Sequence, residues 1–241
     1  MRADREPATN HHDPGSLDRV GAGALKELRA ADAPKLRGWL HLGLTPLVLA
    51  GGLVLVLLAP TSLAQTAAIV YAITSLLLFG ISAVYHRGRW TPHVRAVLRR
   101  LDHSNIYLII AGTYTPFALL ALDGGARVAV LVVVWAGALL GVGFRIFWVH
   151  APRWLYTPLY LALGWVAIFF LPQILRGSSP AVIALVVAGG LLYTAGGLVY
   201  AFKRPRLSLR WFGFHEVFHT FTVLAYAAQY VAVSLVTYRF A

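Results

Sequence analysis

The stretch GFHEVFHTFTVLAYAAQYVAVSLVT, residues 213–237, decides the fold. After Glu216 it carries no charged side chain. About 20 apolar residues are enough to cross a bilayer. The stretch therefore reads as a membrane-spanning helix whose first turns hold His215, Glu216 and His219. Six further apolar stretches precede it, at 41–59, 66–86, 101–122, 127–147, 155–175 and 181–202. The whole chain of 241 residues is 59% apolar and 12% charged. An average soluble domain has about 45–50% apolar and about 25% charged residues. Water cannot be the solvent for most of this chain. The expected architecture is an all-α integral membrane protein, a bundle of seven transmembrane helices over 39–241.

Residues 1–38 are polar and charged, with no apolar core of a secretory signal peptide. They are expected to form a basic cytoplasmic tail. Leu17, Val20, Ala24, Leu28 and Ala31 fall at helical spacing, which suits an interfacial helix. A loosely ordered tail suits them equally. Pro60, Pro92, Pro152, Pro180 and Pro205 sit in or beside the connections. Gly51-Gly52, Gly141, Gly143 and Gly189-Gly190 lie inside spans, where small residues allow close helix packing.

The basic residues set an orientation. Of the 21 Lys and Arg, 18 fall in the tail and in the connections 2–3, 4–5 and 6–7. Only Arg127, Arg176 and Arg239 fall on the other side. The positive-inside rule then places the N-terminus in the cytoplasm and the C-terminus outside. This distribution accounts for the +12 net charge without nucleic acid, for which no basic run has the aromatic interleaving. Trp39, Trp90, Trp148, Trp154 and Trp211 fall at the same cytoplasmic ends, as an interfacial belt. The chain has no Cys, which excludes disulfides, thiolate metal sites and Cys nucleophiles.

Ionisable residues within spans are expensive and mark function by default. After the tail only Asp102, Asp123 and Glu216 are acidic. Asp123, beside Gly124-Gly125, reads as a turn residue. Ser82 and His86 end the second span, Asp102 begins the third, and His215 and His219 open the seventh. The charge-based orientation brings all of them to the cytoplasmic end. Histidines four apart share a helix face, so His215 and His219 can hold one ion together, with His86 as third ligand. Three protein ligands and a water are the form of a catalytic zinc site. Asp102 is then the candidate general base, and Ser82 orients a ligand or donates to a developing oxyanion.

Other readings stand beside this one. Histidines at a helix end also serve as interfacial polar groups. His41, His93, His103 and His150 lie near the same side, so spacing does not force the choice of ligands. Residues 215–219 are also a literal H-E-x-x-H, in which Glu216 would be the base of an intramembrane zinc protease. Pairing of Glu216 with Arg210 or another basic residue is the structural alternative. A retinal protein is excluded, because Lys26, Lys35 and Lys203 are the only lysines and none lies deep in the seventh span.

The segments SAVYH (82–86), LDHSNIYLIIAGTYTPF (101–117) and HEVFHTFTVLAYAAQY (215–230) resemble the hemolysin III family, the bacterial branch of the progestin and adipoQ receptor group. The SxxxH, Asp and HxxxH set also looks like that of seven-helix membrane hydrolases that include alkaline ceramidases. The resemblance implies zinc on His86, His215 and His219, with Asp102 beside the water and Ser82 nearby. Adiponectin receptors of the group carry Gln at the position of Glu216, which disfavours an indispensable base there. Bacterial relatives often carry a Glu and Asn before a Thr-His pair, whereas here Leu40 precedes His41. The expected function is a plasma-membrane, zinc-dependent hydrolase of lipid amide or ester bonds, with a membrane lipid as substrate or ligand. A zinc-stabilised receptor or homeostasis protein is the non-enzymatic alternative, and membrane lysis is the activity in the family name.

Overall fold

The structure is a computed structural model, and it describes residues 34–148, 150–205, 207–208 and 210–239. The helical pattern expected for residues 17–31 and most of the tail lie outside the described residues. Eight α-helices follow: α1 Trp39–Leu57, α2 Ser62–Arg87, α3 Pro92–Ala121, α4 Gly124–Phe147, α5 Arg153–Gly164, α6 Leu171–Gly177, α7 Pro180–Phe202 and α8 Phe214–Tyr238. There is no strand among the described residues. Among the described residues six helices are long and apolar enough to cross a membrane: α1, α2, α3, α4, α7 and α8. The chain is an all-helical, multi-pass membrane protein.

Local chemistry sets the helix starts. Thr61 caps α2 by accepting a hydrogen bond from the Ala64 N–H at 3.1 Å. α3 and α7 each begin Thr-Pro or Ser-Pro, where the hydroxyl caps and the proline gives up no needed N–H. At α8 the Glu216 carboxylate accepts from the Gly213 N–H at 2.8 Å.

Neighbours in sequence pack as neighbours in space, from α1 through α4, and α7 lies along α8. α8 also touches α1 and α3, which closes the bundle. One apolar core is built around Leu55, Tyr71, Phe79, Tyr226 and Val233. A second joins α3, α4 and α5 around Tyr107, Val134, Ala138 and Tyr160. Gly141 is required at this second seam, because a Cβ there would overlap the Tyr107 ring.

The fifth apolar stretch is not one long α-helix. It runs as α5, then a 3₁₀ turn over Trp165–Phe170, then α6. It still reaches from one end of the bundle to the other: Tyr156 meets Tyr200 near the end of α7, and a Cβ on Gly177 would overlap the Ala121 carbonyl at the end of α3. Irregular backbone in a membrane needs partners inside the protein. Tyr114 of α3 supplies them. Its hydroxyl donates to the Gly164 carbonyl at 2.7 Å and accepts from the Ala167 N–H at 2.7 Å. Trp165 adds a bond to the Thr194 hydroxyl at 3.0 Å. Tyr114→Phe strips both backbone partners at the break, at a cost of about 1–3 kcal/mol. The thermal unfolding midpoint of the detergent-purified variant should drop accordingly. A midpoint equal to wild type would show that the break does not depend on this hydroxyl.

Candidate metal centre at one end of the bundle

The end of α2, the beginnings of α3 and α8, and the beginning of α1 meet at one end of the bundle, here termed the histidine end. His86, His215 and His219 each offer a ring nitrogen, and these atoms all lie within 4.8 Å of one another. The Nε2 atoms of His86 and His215 are 3.1 Å apart. Tetrahedral zinc with nitrogen ligands at 2.0–2.1 Å sets those nitrogens about 3.4 Å from each other. The donor type, number and spacing therefore fit zinc. The cluster crosses between two helices, so an ion here would tie α2 to α8.

The Asp102 carboxylate lies 3.9 Å from His86 Nε2, with its side chain 12% exposed. Ser82 is buried one turn before His86 and lines the same cavity as Asp102. The structure thus brings together all five residues singled out from the sequence: Ser82, His86, Asp102, His215 and His219.

His41 joins them as a neighbour. Its ring stacks on His219 with centroids 3.8 Å apart and planes 6° from parallel. Phe79 holds it edge-on from another side at 4.9 Å. It is buried, and it is a flat apolar wall for His219 with neither ring nitrogen hydrogen-bonded in the described structure. Only the tertiary fold reveals this contact; the sequence carries no local signal of it.

Glu216 turns to a different task from the histidines that flank it. It is buried, caps α8 through Gly213, and pairs with Arg37. The sequence offered Arg210 or another basic residue as its partner, and the fold supplies Arg37 from the far end of the chain. Residues 34–38 form a strap over the histidine end. The Lys35 N–H donates to the Arg210 carbonyl at 3.0 Å and the Leu36 N–H to the Trp211 carbonyl at 3.3 Å. Gly38 turns the strap into α1 at φ 79°, a left-handed conformation that glycine tolerates. A Cβ there would stand 2.5 Å from the His86 Cβ.

His103 lies beside Asp102, 3.7 Å from its carboxylate, outside the three-histidine group. Its Nδ1 lies 2.8 Å from the Arg99 carbonyl and must donate there, so Nε2 accepts from the Tyr200 hydroxyl at 3.2 Å. Tyr156 completes the chain by donating to Tyr200 at 3.2 Å. His93 and His150 also lie apart from the three-histidine group.

A partly open cavity leads away from the site between α3, α5, α7 and α8. Ser82, Asp102, His215 and His219 line its head, and Phe117, Ile174 and Val186 line its far part. Asp102 and Phe117 are 15 residues apart on one helix, a depth of about 22 Å. Apart from its head, its walls are predominantly apolar.

These features define a class: a multi-pass helical membrane protein with a three-histidine cluster at one end and an apolar cavity beside it. Comparison with known proteins narrows the class. A model of haemolysin-III related proteins matches residues 30–230. The chain is 34% identical to a hemolysin-3 homolog of Bacillus subtilis (strain 168) over 164 residues, which is 68% of this chain and 74% of that protein. It is 31% identical to a hemolysin-3 of Bacillus cereus over 173 residues, 72% of this chain and 76% of that protein. The chain belongs to the haemolysin-III related family.

Proposed function

We propose that this protein is a zinc-dependent hydrolase of lipid amide or ester bonds, resident in the plasma membrane. The observation that carries the reading is the placement of the His86–His215–His219 group with Asp102 and Ser82 at the head of a long apolar cavity. His86, His215 and His219 would hold the ion. When bound, zinc supplies a Lewis acid for a carbonyl oxygen and acidifies water. Asp102 takes the proton from the attacking water and returns it to the departing amine or alcohol. Ser82 shares the cavity head with Asp102. The cavity holds the acyl chain and keeps its carbonyl at the polar head. The products are a fatty acid and an amine or alcohol.

In this reading the chain crosses the membrane seven times, with its N-terminus in the cytoplasm. The broken fifth stretch spans roughly 40 Å as α5, 3₁₀ turn and α6, more than the roughly 30 Å hydrocarbon core. The excess of Lys and Arg at the histidine end sets the orientation. The engagement of Glu216 with Gly213 and Arg37 supports the hydrolase over an intramembrane protease that uses Glu216 as base.

The test is a panel of lipid amides and esters given to the purified protein before and after chelation. Release of fatty acid that stops on chelation and returns with added zinc is the expected result. A bundle that loosens on chelation but never cleaves any lipid would favour the zinc-stabilised receptor instead. A lytic role, suggested by the names of the two Bacillus relatives, would show as leakage from vesicles without lipid cleavage.

A further inference from the structure

Two sets of arginines stand out at the histidine end. Those beside the strap are engaged locally. Arg37 pairs with Glu216, Arg87 stacks on Trp39 at 4.2 Å, and Arg210 lies over Trp211 at 5.7 Å. The second set gathers at the corner where α3, α4 and α5 meet. Arg99 reaches His150 Nε2 at 3.2 Å, and Arg100 donates to the Ile146 carbonyl at 3.2 Å. Arg153 donates to the Tyr200 carbonyl at 3.3 Å and lies over the Tyr200 ring at 4.5 Å. Arg145 is buried behind them, 4.3 Å from the Tyr156 ring centre. Arg99, Arg145 and Arg153 stand on three different helices, α3, α4 and α5.

Among the described residues the acids are Asp102, Asp123 and Glu216. Glu216 is held by Arg37, Asp123 by Arg127 at the opposite end, and Asp102 has only histidines within ion-pair distance. Arg99, Arg100 and Arg153 are half-buried and form no ion pair with a carboxylate of the described residues. Beside them Phe147, Trp148 and Trp154 are 91%, 51% and 73% exposed. Exposed aromatics mark the level of lipid headgroups. Clustered guanidinium forks at that level match the oxygens of a phosphate.

The geometry points to a binding site for the phosphodiester of an anionic phospholipid on Arg99, Arg100 and Arg153, outside the histidine centre. His150, held by Arg99, and the Ile146 carbonyl in the last turn of α4, held by Arg100, form its floor. His103, Tyr156 and Tyr200 belong both to the wall of the long cavity and to the network that reaches Arg99 and Arg153. The site does not depend on the hydrolase reading, because no metal ligand takes part in it.

The test reads lipid retention, not turnover. Full-length protein is exchanged into phosphatidylcholine vesicles doped with phosphatidylglycerol, repurified, and its bound lipids counted by native mass spectrometry. Wild type should retain phosphatidylglycerol over phosphatidylcholine, and less so as ionic strength rises. Arg99→Gln/Arg153→Gln should weaken that preference on the order of 30-fold, whereas Arg127→Gln, at the other end, should leave it unchanged. Arg99→Lys/Arg153→Lys keeps the charge and should retain part of the preference, which separates loss of binding from loss of folding. A wild type with no preference would overturn the site and leave its charge to the six acidic residues of 1–33. An equal preference in the glutamine variant would overturn it as well. Inorganic phosphate that binds while phosphatidylglycerol does not would assign the corner to a free anion and overturn the lipid.

Discussion

His215→Ala/His219→Ala will remove zinc from the protein. Elemental mass spectrometry of wild type purified in detergent should find about one zinc per chain, and the variant should hold less than about a tenth of that. The reason is the ligand count. The substitutions leave His86 as the one imidazole of the group, and a single neutral ligand cannot hold the ion against water. His41 does not substitute for them, since its ring lies flat against the ring that would be lost. The loss should also be structural. An ion shared by α2 and α8 stabilises only the state in which they meet, so the variant should unfold at a lower temperature, and chelation should bring wild type down to the same midpoint. Wild type that arrives metal-free and takes up no added zinc would reduce the three histidines to interfacial polar residues.

Asp102→Asn will keep the metal and lose the chemistry. Asparagine preserves the shape of the side chain, but it cannot accept a proton from water at neutral pH. General-base assistance contributes about 10²–10⁴ in rate, and that is the expected fall in kcat. The substrate concentration at half-maximal rate should change little, because the acyl chain is held far from residue 102. Unchanged turnover would remove Asp102 from the mechanism. Loss of zinc together with activity would make it a ligand instead of a base.

Much of this site could be read from the residues in order. Hydropathy located the apolar stretches, and the Lys and Arg distribution alone predicted that Ser82, His86, Asp102, His215 and His219 would meet at one end. What escaped were contacts between residues distant in sequence. Residues 155–175 are as apolar as the other stretches, and Pro158 and Pro172 allow a kink there, but so do Pro46 and Pro116 in helices that stay unbroken, so nothing singles out a 3₁₀ turn at Trp165–Phe170. Its backbone is satisfied by Tyr114, some 50 residues earlier. Gly164 and Pro172 flank the break, but glycine and proline also occur in the unbroken helices. The Arg37–Glu216 pair was equally hidden, because the sequence placed Arg37 in a tail and Arg210 near at hand.

The strap and the histidine group also bear on how the molecule is made. Arg37 and Glu216 are separated by 179 residues, and His86 and His215 by 129. Contacts of such long range close late, because the loop between them must be formed first. During synthesis the chain emerges from its N-terminus. The helices before α8 are therefore made while α8 is still missing, with His86 and the strap awaiting their partners. On the proposed ligand set, two of the three imidazoles arrive with the last helix. Zinc capture then belongs to the final stage of biogenesis, and a chain cut short before residue 219 is inserted but metal-poor. The ion would serve as a seal on completed topology, formed only after the second and last helices have found each other.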